Sequence, residues 1–139
     1  MTELKNNYNS NQSSNPNSDP EIPLEIKVVL LGETAVGKTS IISRFVDGKF
    51  VSNFVPTMSG AYSSKIQEFK EDNKKLKFEI WDTAGQEKYR SLTQIFYKDA
   101  SIAILVYDIT DSDSFEELQN YWYKQLQECA PKNIGKFLF

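Results

Sequence analysis

Residues 24–40 read LEIKVVLLGETAVGKTS, and this stretch decides the fold of the chain. Its first half is a short and nearly continuous apolar run, which is typical of a strand buried on both faces. A glycine-rich turn follows, and the pattern then predicts a helix over residues 38–47 with Gly48 just past its end. The apolar positions of that helix recur at helical spacing: Ile41, Ile42, Phe45 and Val46.

The turn at residues 32–39, which we call the phosphate loop, reads GETAVGKT and matches the pattern G-x-x-x-x-G-K-[ST] without a gap. Its glycines let the backbone curl so that successive N–H groups point at phosphate oxygens, and the positive end of the following helix adds to that attraction. Lys38 would reach the β- and γ-phosphates, and the Thr39 hydroxyl would coordinate Mg²⁺. An ordinary glycine turn is the alternative, but the strand before and the helix after are the context that phosphate binding requires. The pattern leaves the identity of the base open.

A second polar motif, WDTAGQE at residues 81–87, follows the end of a predicted strand. Asp82 can hold Mg²⁺ opposite Thr39, through water. Gly85 has no side chain in the way and can present its N–H to the γ-phosphate, and Gln86 can orient the attacking water. A polar turn is the alternative, and the phosphate loop upstream makes it the weaker interpretation.

The rest of the sequence predicts one α/β domain over residues 24–139, preceded by a disordered tail over residues 1–23. The tail is rich in Asn and Ser, and such a segment cannot bury enough apolar surface to offset its ordering entropy. Two strands, at about 60–69 and 76–81, flank a polar turn, and the apolar run at 102–107 predicts a central parallel strand. The alternation of strands and helices indicates a mostly parallel sheet.

A second amphipathic helix follows that central strand, and Pro131 stops it. Its start is predicted from a capping pair, either Asp113 with Glu116 or Ser114 with Glu117. Its apolar positions step by three or four residues: Phe115, Leu118, Trp122, Leu126 and Cys129.

Composition narrows the classes of function. A net charge of -3 without a clustered basic face speaks against nucleic-acid binding, and no stretch approaches the length of about eighteen apolar residues that a membrane span needs. The absence of histidine excludes Ser-His hydrolases and His-ligated zinc sites, so the chemistry must rest on carboxylates, hydroxyls, amides, lysine or an oxygen-held metal. Cys129 is the only cysteine, which excludes an intramolecular disulfide and fits a reducing, cytoplasmic compartment. We expect it to be half packed in the core rather than reactive.

With both motifs in place, the chain resembles the Ras-type small GTPases, and from residue 24 to residue 134 it resembles the Rab branch. Residues 58–62 and 78–87 look closest to the early-endosomal members. Three further segments are similar to ones typical of Rab proteins: KFEIW at 77–81, KYRSL at 88–92 and VYDIT at 106–110.

The resemblance implies the P-loop small G-protein fold, with GTP or GDP and Mg²⁺ as ligands and GTP hydrolysis as the reaction. It implies a monomeric switch in vesicle traffic, on the cytosolic face of endosomal membranes. Effectors, an exchange factor and a GTPase-activating protein are the implied partners.

The resemblance also assigns residues. Thr57 matches the threonine whose hydroxyl binds Mg²⁺ and whose amide meets the γ-phosphate, and Phe50 matches the aromatic residue that packs against guanine. Tyr62, Trp81 and Phe96 match the surface aromatic triad that effectors read, with the family's Phe and Tyr exchanged at its ends; without the resemblance they are expected in the core. Gln86 is the implied catalytic residue, and the implied metal ligands are Thr39, Thr57 and Asp82. The implied nucleotide-binding set is Gly32, Thr34, Ala35, Val36, Gly37, Lys38, Thr39, Ser40, Phe50, Thr57 and Gly85.

The chain departs from the family pattern at two places. Met58-Ser59 replaces the usual Ile-Gly, and after Ile134 the chain reads GKFLF where a Rab continues into Asn-Lys-x-Asp, a helix, a sixth strand and a final helix. The Asn73-Lys74 pair lies in the hairpin and cannot serve instead. We therefore expect a fold without the last strand and last helices, exposed apolar surface, weak and poorly guanine-selective nucleotide binding, and no prenylated membrane anchor.

Three hypotheses follow. The first is a Rab-like GTPase, and the second is a non-enzymatic fragment that engages regulators or effectors through its switch surface. The third is another P-loop enzyme, such as an ATPase or a kinase, and the motif at residues 82–87 argues against it.

Overall fold

The structure of the chain is a computed structural model that describes residues 22–50, 57, 60–72, 74–83 and 95–139. The tail predicted over residues 1–23 lies outside the described residues except for Ile22 and Pro23, so its disorder stays a prediction.

Five strands form one sheet in the described part of the chain: β1 Leu24–Leu31, β2 Ala61–Phe69, β3 Lys74–Asp82, β4 Ile102–Leu105 and β5 Gly135–Leu138. Their order across the sheet is β2-β3-β1-β4-β5. β1 pairs in parallel with β3 and with β4, β4 pairs in parallel with β5, and β2 pairs with β3 as an antiparallel hairpin. The predicted α/β fold with a mostly parallel central sheet is confirmed.

The first helix, α1, spans Lys38–Asp47, which are the bounds predicted from the sequence. Gly48 follows it in the left-handed conformation with φ 70°, where a residue without a Cβ carries little strain. Arg44 in the last turn donates to the Gly48 carbonyl over 2.6 Å. The conformation of Gly48 and the hydrogen bond from Arg44 together stabilise the end of the helix.

The second helical region consists of α2 Ser112–Glu117, a π-helical turn Leu118–Trp122 and α3 Tyr123–Cys129, which follow one another directly. Leu118, Trp122 and Leu126 are buried, as their helical spacing predicts. The region ends where predicted, because Ala130 is extended and Pro131 follows. No helix in the described ranges is long and apolar enough to cross a bilayer.

Two apolar clusters, one on each face of the sheet, explain why consecutive residues of β1 are apolar. Val29 and Leu31 lie in one cluster with Trp122, whereas Val28 and Leu30 lie in another with Ile42 of α1. Successive side chains of a strand point to opposite faces, so β1 supplies both cores. This double burial holds the carboxyl end of β1, from which the phosphate loop leaves.

The predicted capping pair of α2 is wrong. Asp111 is the N-cap, and its carboxylate accepts a hydrogen bond from the Asp113 backbone N–H over 3.1 Å. Ser114 cannot cap the helix because its buried hydroxyl donates to the Asp111 carbonyl over 2.8 Å. Capping residues occupy positions 111 to 114 in succession, and spacing alone does not choose among them.

Two smaller expectations also change. The central parallel strand β4 ends at Leu105 rather than at residue 107, although the Val106 N–H still donates to the Leu31 carbonyl over 2.8 Å. Cys129 is exposed at the end of α3 rather than half packed, because the buried stripe of that helix ends at Leu126.

An open apolar groove of about 340 Å³ lies between α1 and one face of the sheet. Its lining includes Ile42, Phe78 and Phe137. Phe137 of β5 is 58% exposed. The exposed apolar surface expected from the sequence is therefore present on this face.

The Asp111 cap can be tested by substitution. Asp111→Ala removes the acceptor for the Asp113 N–H, and we expect the free energy of unfolding to fall by about 1 kcal/mol. Asp111→Asn keeps an acceptor and should cost a few tenths at most. Asp113→Ala leaves the cap intact and removes only a first-turn carboxylate, so its cost should be about 0.3–0.5 kcal/mol. Urea unfolding followed by circular dichroism measures all three, and a larger loss in Asp113→Ala than in Asp111→Ala would show that the cap is misassigned.

Candidate functional site

The phosphate loop connects β1 to α1 through backbone conformations that only some residues adopt. Gly32 has φ 146°, and a Cβ at this position would lie 2.1 Å from the Val106 carbonyl oxygen. Ala35 and Gly37 also have positive φ, at 67° and 100°. These conformations curl the chain, so the glycines of the sequence pattern stand where the backbone requires them. Thr34 is exposed in the loop, as is Ala35.

The start of α1 offers backbone donors to an anion. Gly37 is its N-cap and has no side chain to accept from the first-turn amides, and the first turn carries no acidic residue. The Ile41 N–H is bonded to the Gly37 carbonyl over 3.0 Å, so the amides before residue 41 precede the first helical bond. Ser40 lies half-buried in this turn, and Val36 lies half-buried in the loop before it. Unbonded amides and the positive end of the helix dipole together favour a negatively charged group here.

Lys38 is buried inside the loop that precedes it. Its side chain is 6% exposed, and its Nζ donates to the carbonyl oxygens of Gly32 over 2.8 Å and Glu33 over 2.6 Å. Burial lowers the pKa of Lys38 from 10.5 to about 8, against the opposing charges of Asp82 and Glu33. A buried ammonium group whose charge is only partly compensated is well suited to a phosphate oxygen.

Three side-chain oxygens converge beside Lys38. Thr39 Oγ1 donates to Asp82 Oδ2 over 2.5 Å and lies 2.9 Å from Thr57 Oγ1, which in turn lies 3.5 Å from Asp82 Oδ2. The parallel register pairs Leu30 with Asp82, so the carboxyl end of β3 brings Asp82 next to the end of β1. The three predicted metal ligands, which are separated along the chain, therefore form one cluster.

The electrostatics of Asp82 fit a cation. The residue is 4% exposed, and Asp82 Oδ1 is buried without a hydrogen-bond partner among the described residues. Burial raises the pKa of Asp82, while the Thr39 hydroxyl and the Lys38 charge lower it. A buried carboxylate oxygen beside two hydroxyls is the hard oxygen environment that Mg²⁺ takes, usually with several waters and substrate phosphates. Together with Lys38 and the first turn of α1, these residues fit a polyphosphate with its magnesium ion.

Sequence reasoning missed the role of Thr83. It is completely buried, and its hydroxyl donates to the Leu30 carbonyl over 2.5 Å, which ties the end of β3 to β1 directly beside Asp82. The sequence shows a hydroxyl in a polar turn at this position, and nothing in that pattern says that the side chain points inward. Glu33 was likewise an unspecified position of the loop pattern, although its carbonyl accepts from Lys38.

Other predicted residues lie apart from this cluster or outside the described residues. Phe50 is 72% exposed beside an open cleft of about 490 Å³ that Ser40, Arg44 and Phe139 also line. Gly85 and Gln86 lie outside the described residues, and their roles stay predictions.

The three aromatic residues of the implied triad lie together. The ring centroids of Tyr62 and Trp81 are 5.3 Å apart, and those of Trp81 and Phe96 are 5.4 Å apart. Tyr62 is 49% exposed, and the Trp81 and Phe96 side chains are half-buried. Gly60 closes the end of the cluster, since a Cβ there would lie 2.4 Å from the Phe96 ring. Trp81 directly precedes Asp82 on β3, and successive side chains of a strand point to opposite faces of the sheet, so the aromatic cluster and Asp82 lie on opposite faces.

The sequence of the chain is similar to those of known proteins. The model of the Ras family matches residues 27–139. The chain is 46% identical over 110 residues to "Ras-related protein Rab-22A" of Homo sapiens and to "Ras-related protein Rab-31" of Rattus norvegicus, covering 79% of this chain and 55% of each relative. It is 40% identical over 113 residues to "Ras-related protein RAB1BV" of Beta vulgaris, covering 81% of this chain and 51% of that relative. The chain therefore spans about half the length of these relatives.

The buried ammonium group of Lys38 predicts a pH dependence of stability in the nucleotide-free protein. The folded state releases this proton near pH 8, whereas the unfolded chain holds it until about 10.5. Between these values the unfolded state binds more protons, so the free energy of unfolding rises with pH, by about 2 kcal/mol between pH 8 and pH 10. This rise in the free energy of unfolding should be present in the wild type and absent in Lys38→Met.

Urea unfolding at several pH values measures that difference. Lys124→Met, at an exposed position on α3, is the matched control and should follow the wild type across the range. A difference between wild type and Lys38→Met that stays constant from pH 7.5 to pH 10 would contradict the buried, proton-releasing state of Lys38.

Proposed function

Because this chain belongs to the Ras family of small GTPases and to its Rab branch, we propose that it is a switch that binds GTP and GDP with Mg²⁺ and hydrolyses GTP. The observation that carries the proposal is the convergence of Thr39, Thr57 and Asp82 next to the buried Lys38. Generic glycine turns lack this combination of a buried, only partly compensated lysine and a cluster of hard oxygen ligands.

The binding step follows from the donors that the loop presents. The amides of the first turn of α1 point toward an anion at the helix start, and Lys38 has a third N–H donor beyond the two that bond to loop carbonyls. That donor serves a β- or γ-phosphate oxygen. Thr39, Thr57 and Asp82 would hold the metal, whose charge would offset the negative charge on the phosphate oxygens. Most of the affinity for the nucleotide would therefore come from contacts with its phosphates and with the metal.

Hydrolysis rests on two residues outside the described part of the chain. Gln86 would orient the attacking water, and the Gly85 N–H would meet the γ-phosphate, which is the positioning that phosphoryl transfer needs most. An arginine from an activating protein would accelerate the reaction by about 10³- to 10⁵-fold.

The switch is proposed to act through Thr57. Its hydroxyl lies 2.9 Å from the Thr39 hydroxyl and 3.5 Å from Asp82 Oδ2, so occupancy of the metal and γ-phosphate site would bear directly on Thr57. The cluster of Tyr62, Trp81 and Phe96, in which Tyr62 is 49% exposed, offers effectors, exchange factors and activating proteins an apolar surface. By family membership we propose a role in vesicle traffic at the cytosolic face of endosomal membranes.

Selection of the base is proposed to be weak in this chain. The cleft beside Phe50 is lined by Ser40, Ile41, Arg44, Phe45 and Phe139, and none of these described lining residues is a carboxylate that could accept from the guanine edge. Discrimination between purines depends on such buried polar contacts. If phosphate binding is also weak, the preformed aromatic cluster supports the alternative, an interaction module that engages partners without turnover.

A titration with fluorescent GDP, ADP and GMP analogues in the presence of Mg²⁺ tests the proposal. We expect GDP to bind with an affinity within about tenfold of ADP, a difference of about 1.4 kcal/mol or less. GMP, which lacks the β-phosphate, should bind far more weakly. Lys38→Met should abolish binding of the diphosphates, whereas the exposed Lys124→Met should bind like the wild type.

Three results would count against parts of this account. Equal binding of GMP and GDP would show that the loop does not grip the β-phosphate. Tight binding with strong selectivity for GDP over ADP would contradict the weak base selection. Undetectable binding of every nucleotide would contradict the switch and favour the interaction module.

A further inference from the structure

A hydrogen bond joins the phosphate loop to the second helical region. The indole Nε1 of Trp122 donates to Glu33 Oε1 over 2.9 Å, across 89 positions of the sequence. Trp122 is fully buried, and Glu33 is the second residue of the loop. We propose that Trp122 is a positioning residue for nucleotide binding, because its bond to the Glu33 carboxylate holds the phosphate loop in its binding conformation. The inference rests on the proposed function and adds a residue outside the two nucleotide motifs that affects nucleotide affinity.

Glu33 bonds to both Trp122 and Lys38. Its side chain accepts from Trp122, and its backbone carbonyl accepts from Lys38 Nζ over 2.6 Å. A shift of Glu33 therefore moves an acceptor of the lysine that is to meet the phosphates. The loop around it holds positive φ at Gly32 and Ala35, a curled state that needs support from its surroundings.

Trp122 is the last residue of the π-helical turn Leu118–Trp122. Leu118, Trp122 and Leu126 lie at helical spacing and are buried together in the apolar cluster that also contains Val29 of β1. At the end of the turn, the Trp122 indole N–H meets the Glu33 carboxylate. Turns of the π type are frequent at functional sites.

The neighbours of Trp122 fix the orientation of its indole ring. Tyr121 packs edge-on against it, with ring centroids 5.1 Å apart at 87°, and Trp122 lies in the same apolar cluster as Val29 and Leu31 of β1. An indole nitrogen only donates, and a carboxylate only accepts, so the pair is chemically matched. The donor is rigid, and a rigid donor can restrain a loop.

Substitutions separate this bond from the packing around it. Trp122→Phe removes the N–H and keeps an aromatic ring in the core, Glu33→Ala removes the acceptor, and Glu33→Gln keeps an acceptor oxygen. We expect Trp122→Phe and Glu33→Ala each to weaken fluorescent GDP binding by about tenfold, the size of one hydrogen bond to a charged group. The double variant should lose no more than either single one, and Glu33→Gln should stay within about threefold of the wild type.

Leu126→Val is the matched packing control, because it shortens a buried side chain on the same face one turn later. It should lower the free energy of unfolding and leave GDP affinity unchanged. Amide hydrogen exchange of residues 32–38 in the nucleotide-free protein is the second readout, and it should accelerate in Trp122→Phe and Glu33→Ala but not in Leu126→Val.

Two results would overturn the positioning role of Trp122. The first is that both Trp122→Phe and Glu33→Ala keep the GDP affinity and the amide exchange of the wild type. The second is that Leu126→Val or Glu33→Gln loses as much GDP affinity as those two variants. If the wild type itself binds no GDP, the proposed function fails, and the exchange of residues 32–38 still decides whether the bond restrains the loop. Should Trp122→Phe fold poorly, Glu33→Ala and Glu33→Gln carry the comparison.

Discussion

Two opposite charges, those of Lys38 and Asp82, are buried at the carboxyl edge of the sheet, and the arrangement of the site depends on how they are compensated. Burial lowers the pKa of the lysine and raises that of the aspartate, while each charge partly offsets the shift of the other. Burying an ion costs several kcal/mol unless partners replace its hydration. Loop carbonyls and the Thr39 hydroxyl supply part of this replacement, and Asp82 Oδ1 still lacks a partner among the described residues. A phosphate and a magnesium ion would supply the remainder, and these charges therefore fit a binding site.

The apolar residues make that edge possible. β1 is buried on both faces, and its parallel pairing with β3 sets Asp82 beside Leu30, at the point where the phosphate loop begins. The buried Thr83 hydroxyl then locks the end of β3 to β1. On the far side of the sheet, Trp122 connects the hydrophobic core to Glu33 of the same loop. The hydrophobic core and the phosphate loop are therefore directly connected.

Much of this could be predicted from sequence, for physical reasons that differ by element. The loop pattern fixes positions of glycine and lysine because the backbone curl and the phosphate contacts demand those residues, and α1 follows from its apolar spacing and Gly48. The cap at Asp111 could not be chosen, since neighbouring residues offer the same chemistry and the decision depends on the burial of Ser114. The inward hydroxyl of Thr83, the Trp122–Glu33 bond and the π-helical turn depend on contacts between distant segments, which a single sequence does not reveal. Gly85 and Gln86 stay predictions.

The central claim is that Thr39 and Asp82 share one metal ion while the loop around Lys38 holds the phosphates. A crystal structure of the chain with GDP and Mn²⁺, with the metal located by its anomalous signal, tests this most directly. We expect the peak about 2.1 Å from Thr39 Oγ1, a distance typical of small octahedral cations, with Asp82 bound to it directly or through one water and the diphosphate against residues 32–39. A metal peak remote from both side chains, or a diphosphate seated elsewhere on the molecule, would contradict the account.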